Sequence, residues 1–138
     1  MAADAAMNAA LAALREVFGY EAFRPGQRDA IEAILSGRDV LAVMPTGAGK
    51  SLCYQIPALV MDGITLVISP LISLMRDQVD ALVQSGVRAA YINSTLTPRQ
   101  HALAMENARQ GMYRIIYVAP ERLATESFLA FELLSSSA

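Results

Sequence analysis

The sequence predicts an α/β fold: a parallel sheet flanked by helices, entered through an N-terminal helical segment and incomplete within these residues. Three observations carry this expectation. Short apolar, β-branched runs alternate with longer stretches of helical composition, and glycine or proline punctuates most of the changes. A glycine-rich loop ending in Lys50-Ser51 lies between one such run and the next helical stretch. Strands separated by helices cannot be joined by hairpins, so the sheet is expected to be parallel, with helices covering both faces.

Element by element, Asp4 to Phe18 is rich in Ala, Leu, Met and Glu, all good helix formers, and Gly19 can end it. A second helix is expected from Pro25 to Leu35, with Ala30, Ile31, Ile34 and Leu35 as its apolar face and Gly37 as its stop. Val40 to Met44 is short, apolar and followed by a turn sequence, which reads as a buried strand. Ser51 to Leu59 reads as a helix and Ile64 to Ile68 as a strand. Leu71 to Gln84 carries an apolar stripe through Leu74, Met75, Val79, Leu82 and Val83, stopping at Gly86. Ala89 to Ile92 is a short strand. Thr97 followed by Pro98 is an N-cap with proline at the first helical position, opening a helix that Gly111 closes. Arg114 to Ala119 gives a fourth strand and Glu121 to Leu134 a last helix. The order suggests two parts, a helical segment over 1–37 and a loop-bearing α/β portion over 38–138.

Composition narrows the function. With 138 residues, 54% of them hydrophobic, the chain can bury a core. Its formal net charge of −2 does not advertise a nucleic-acid binder, so any such contact must be local. Cys53 is the only cysteine, which excludes an internal disulfide and a four-cysteine metal site, and it is expected to be a small buried hydrophobe. No Lys or Arg precedes Arg15, as a signal peptide would require, and no apolar run reaches the roughly 18–20 residues that span a bilayer. A soluble, cytoplasmic protein is the expectation, with no membrane partner. His101 is expected on an exposed, polar helix face.

The loop itself points to phosphate. In Thr46-Gly47-Ala48-Gly49-Lys50-Ser51 the glycines let the backbone curl so that successive N–H groups face phosphate oxygens, and the helix N-terminus adds its positive end. Lys50, the only lysine, would neutralise the β- and γ-phosphates of ATP, and the Ser51 hydroxyl would bind Mg²⁺. Lys50 and Ser51 are thus the candidate catalytic groups. Met44 stands where the general eight-residue pattern asks for glycine. A carboxylate at a neighbouring strand end should help hold the metal. Glu121 is the one acid just behind an apolar strand, but Pro120 breaks that strand and no second acid follows, so Glu121 reads as non-catalytic.

The flanking residues carry a resemblance. Leu14, Phe18, Gly19, Phe23, Arg24 and Gln27 match, at their spacing, the adenine-reading motif of RecQ helicases. Thr46 to Pro57 resembles that family's first helicase motif, and Val67 to Gln78 its single-strand-contacting motif Ia. Asn93-Ser94-Thr95 and Tyr117 to Leu123 resemble the next two blocks, so the match runs in order over residues 14 to 123. The resemblance implies a RecA-like domain in which Gln27 reads the N6/N7 edge of adenine and Tyr20 and Arg24 stack on its ring. Phe18 and Phe23 are expected to be core residues instead.

The resemblance further implies that Ser69, Ser73, Arg76, Asn93, Thr95, Glu121 and Arg122 contact DNA, single-stranded or duplex, from loops at the C-terminal ends of strands. That edge is where open parallel sheets bind ligands. The bland alternative is helix capping by Ser69 and Thr95 and a solvated charge at Arg76. An Asp-Glu-Ala-His block, a second motor domain with an arginine finger, a zinc-binding region and a winged helix would follow in such a helicase. None is among these residues, so zinc is expected only outside them, and the chain alone is expected to lack unwinding and DNA-stimulated ATPase activity. The whole protein would unwind DNA from 3′ to 5′. An RNA helicase of the DEAD-box kind and a non-catalytic ATP-binding or interaction module are the alternatives. The Ser69 to Met75 and Tyr117 to Leu123 blocks argue against the former. Oligomeric state is not legible.

Overall fold

The computed structural model describes residues 2–44 and 49–124. Two compact units divide the chain, Met1–Asp62 and Gly63–Ala138. The expected boundary at 37/38 follows the order of motifs, whereas the units follow packing.

The first unit is helical: α1 (Ala2–Phe18), α2 (Gln27–Leu35) and α3 (Leu52–Val60), each packed against the other two. Met7, Ala10 and Leu14 recur at helical spacing on α1 and meet Ile31 of α2 and Ile56 of α3 in a buried cluster. Phe18 and Phe23 pack against it, as expected of core residues. Burying a side chain the size of Leu14 contributes about 1.5–3 kcal/mol, so this short bundle rests on few residues. Helix α2 begins at Gln27 rather than Pro25 because Gly26 has φ of 88°, outside the helical region. Pro57 lies inside α3, which ends three residues later.

One expectation fails here. Val40 to Met44 forms no strand, and Leu41 and Val43 are 92% and 89% exposed. An apolar run becomes a buried strand only when a neighbouring strand takes its N–H and C=O groups and another layer covers its side chains. Among the described residues no strand pairs with it, so its apolar composition alone does not make it one.

The second unit holds a parallel sheet of β1 (Thr65–Ile68), β2 (Ala89–Ile92) and β3 (Ile115–Val118), in the order β1-β3-β2. Helix α4 (Ile72–Gln84) connects β1 to β2, and α5 (Pro98–Arg109) connects β2 to β3. The last strand in sequence is therefore the central one, and all four of its residues are buried. Thr97 caps α5 as expected, accepting from the Gln100 N–H while the Gln100 side chain accepts from the Thr97 N–H. Ile92, Ile116 and Val118 pack with Met105 and Ala108 of α5, and α4 packs on β2 while burying Met75, Val79 and Leu82.

Leu66 and Ile68 alternate onto one face of the edge strand β1 and are exposed. His101 also departs from expectation: it is half-buried, and its Nε2 is buried without a hydrogen-bond partner. Position 101 shares a helix face with Ala104, Met105 and Ala108, which pack into the core. Of the expected last helix, Pro120–Ala124 is a 3₁₀ turn, and the remainder lies outside the described residues. Among the described residues, no helix is long and apolar enough to cross a membrane.

Candidate nucleotide-binding site

Within the first unit, a pocket of about 340 Å³ is lined by Tyr20, Arg24 and Gln27 together with Gly49, Lys50 and Ser51. Residues expected to read a base and residues expected to hold phosphates thus share one cavity. Thr46, Gly47 and Ala48 lie outside the described residues. Leu14 and Leu52 add apolar wall. Leu14 matched the motif by spacing, but nothing in the sequence marked it as part of a site.

Local structure explains how each group arrives. Gly19 has φ of 75°, and the chain turns back so that the Tyr20 N–H bonds to the Leu14 carbonyl at 3.2 Å. Tyr20 is left 52% exposed at the pocket, so its ring is free to meet a planar ligand. Gln27, at the start of α2, is only 2% exposed. Its Oε1 accepts from the Arg24 N–H at 2.8 Å, and its Nε2 donates to the Gly49 carbonyl at 3.1 Å. A buried amide satisfied on both ends is held in one orientation.

Lys50 and Ser51 stand at the entrance to α3. Ser51 is the N-cap residue, yet its side chain makes no cap hydrogen bond, and Lys50 is exposed with no ion pair among the described residues. An uncommitted hydroxyl and ammonium at a helix N-terminus fit a magnesium-bound triphosphate, where the lysine would balance phosphate charge and the serine oxygen would ligate the metal. A second hollow, of about 450 Å³, shares Lys50 but is walled by Val40, Ala42 and Met44 and is not lined by Tyr20, Arg24 or Gln27. Cys53 is buried as expected, 3.8 Å from the Met44 sulfur, and burial pushes its thiol pKa upward.

The residues expected to meet DNA fall in the second unit. Strand register aligns Ile68, Val118 and Ile92, so Ser69, Ala119 and Asn93 follow one another across the same sheet edge. The Ser69 hydroxyl accepts from the Leu71 N–H at 3.1 Å and shapes the turn into α4. Ser73 and Arg76 are exposed at the start of α4, and Arg76 lies 3.9 Å from Asp80 in a solvated pair worth little stability. Asn93 is 1% exposed: its Oδ1 accepts from both the N–H and the hydroxyl of Thr95, and its Nδ2 lies 3.5 Å from the Met75 sulfur. Asn93 therefore supports the turn from beneath, while Thr95 is exposed on it. Glu121 is exposed and Arg122 half-buried in the 3₁₀ turn beyond β3.

The DEAD/DEAH box helicase family matches residues 24–135. The ATP-dependent DNA helicase RecQ of Haemophilus influenzae is 53% identical over 128 residues, covering 93% of this chain and 20% of that protein. The Bacillus subtilis protein of the same name is 49% identical over 124 residues, covering 89% of this chain and 21% of the relative. ATP-dependent DNA helicase Q1 of Rattus norvegicus is 46% identical over 114 residues, covering 80% and 18%. The chain thus spans about one fifth of the length of the curated relatives it matches. It belongs to the DEAD/DEAH box helicase family, and its similarity within that family lies with RecQ helicases.

Proposed function

We propose that this chain is the ATP-binding front part of a RecQ-type ATP-dependent DNA helicase motor. The observation that carries the reading is the single pocket joining Tyr20, Arg24 and Gln27 to Gly49, Lys50 and Ser51. In it Gln27 reads adenine, Tyr20 and Arg24 flank the ring, and Lys50 and Ser51 receive the phosphates and Mg²⁺. Thr46, Gly47 and Ala48 complete the phosphate loop. Residues 1–37 carry the base-reading part of the domain and 38–138 its phosphate-loop portion.

The strand-end edge contacts DNA through Ser69, Ser73, Arg76, Thr95, Glu121 and Arg122, with Asn93 supporting the turn that presents Thr95. Three short hydroxyl side chains and two guanidinium groups suit phosphate oxygens better than base edges, which fits a motor that tracks DNA without reading it. The whole protein would couple ATP hydrolysis to 3′-to-5′ unwinding.

The test is unwinding by the full-length protein that contains this segment, on duplexes carrying a 3′ or a 5′ single-stranded tail. ATP-dependent separation of the 3′-tailed duplex only, abolished by Lys50→Ala, is expected. Unwinding indifferent to Lys50→Ala would contradict the reading.

A further inference from the structure

Two consecutive residues at the start of α2 touch the two ends of the glycine-rich loop. Gln27 donates from Nε2 to the Gly49 carbonyl, at the end that leads into α3. At the other end, the Met44 methyl carbon lies 3.7 Å from where a Cβ on Gly26 would stand, so it packs directly on the glycine backbone. The Met44 sulfur meets α3 as well, where the Cys53 thiol donates to it at 3.8 Å. Met44 occupies the position where the general phosphate-loop pattern has glycine. Its side chain fills space between α2 and α3 that a glycine would leave empty, and it ties the entry of the loop to both helices.

A thioether in this place is open to one chemical change. Met44 is only half-buried, and with Lys50 and Cys53 it lines the hollow whose rim includes the exposed Arg38, Asp39 and Ala42. A small oxidant can reach its sulfur there, whereas Met7, Met75 and Met105 are buried. The neighbouring thiol is a poor competitor for that oxidant. Cys53 is held by burial in the neutral form, and it is the thiolate that attacks a peroxide.

We propose that Met44 is a modification site: hydrogen peroxide converts its thioether to the sulfoxide, which loosens the loop entry and weakens nucleotide binding. The effect on binding rests on the nucleotide-site reading above. In the step a sulfur lone pair takes one peroxide oxygen, the O–O bond breaks and an S–O bond forms. Sulfur is oxidised, and the second oxygen leaves as water with both hydrogens. The sulfoxide oxygen is a strong acceptor, while the group set against the sulfur, the Cys53 thiol, is a weak donor. An acceptor left between two helices without a better partner is costly, so the oxidised side chain turns towards water and leaves Gly26. The loop entry then loses its tie to α2 while Gly49 keeps its own, and a nucleotide must order the loose end as it binds.

The test treats the chain with hydrogen peroxide and reads oxidation at each methionine and at Cys53 by peptide mass spectrometry. Mg²⁺-ATP affinity is titrated before and after. Met44 is expected to oxidise well ahead of Met75, Met105 and Cys53. Affinity is expected to fall on the order of tenfold in step with Met44 oxidation, the worth of one unsatisfied buried acceptor. Methionine sulfoxide reductase is expected to restore it. Met44→Leu retains the exposed Met61 and Met112, and its affinity, whatever the starting value, is expected to be indifferent to peroxide. Met44 oxidising no faster than Met75 overturns the proposal, as does a Met44-oxidised chain that binds ATP as before. So does a Met44→Leu chain that loses affinity to peroxide as the unmodified chain does; all three results leave nucleotide binding intact. An untreated chain that binds no ATP overturns the nucleotide-site reading, and the proposal with it.

Discussion

The Gln27 Nε2 donates to the Gly49 carbonyl across 3.1 Å, tying the start of α2 to the loop that leads into α3. The two residues are 22 positions apart, and their contact joins the segment before α2 to the loop before α3 within a single helical unit.

Removing that amide has two separable effects. Gln27→Ala leaves the Arg24 N–H without its partner and the Gly49 carbonyl with only its helical bond, so the nucleotide-free chain is expected to lose about 1–3 kcal/mol of stability. Discrimination between ATP and GTP falls more than phosphate affinity does. Urea unfolding and competition titration measure the two effects independently.

Leu14 is both core and pocket wall, 1% exposed between α1 and its partner helices. Leu14→Ala is expected to cost about 2–5 kcal/mol through lost burial and a residual cavity. The loss is read from the denaturant midpoint, with NMR of α1 to α3 assigning it to this unit.

How much of this was legible depended on how local each signal is. The Thr97-Pro98 start of α5 and its stop at Gly111 lie within a few residues of sequence and came out as expected. Strands β1 to β3 were found from short β-branched runs to within a residue or so. Val40 to Met44 has the same composition, but a strand is defined by its neighbour, and composition says nothing about that. Asn93 is legible in the sequence only through the resemblance; that the turn to Thr95 folds it inward is revealed by the backbone geometry. Tyr20, Arg24, Gln27, Lys50 and Ser51 stand out in the sequence as motif residues, and the structure lines one pocket with them; the hydrogen bonds that fix Gln27 end on main-chain atoms and leave no residue pattern to read.

The Thr97 cap offers a clean local test in the second unit. Thr97→Ala removes the acceptor for the Gln100 N–H, and stability should fall by about 1 kcal/mol, with Thr97→Ser restoring most of it. Thermal unfolding of the three proteins at one pH provides the comparison.

Cys53 should behave as a protected thiol. Burial raises its pKa, so the folded state holds the neutral form where an unfolded chain would begin to ionise, near pH 8.5. The stabilisation is complete below that pH and is lost as pH rises through the folded value, because the unfolded state releases its proton first. Alkylation by iodoacetamide at pH 8 is expected to be slow in the folded chain and fast in denaturant.

Whether one pocket holds both ends of an adenine nucleotide is read from calorimetric titration of the chain with Mg²⁺-ATP. Saturable binding is expected, largely removed by Lys50→Ala and only weakly reproduced by GTP. Equal affinities for the unmodified chain and Lys50→Ala, or equal affinities for ATP and GTP, would contradict it.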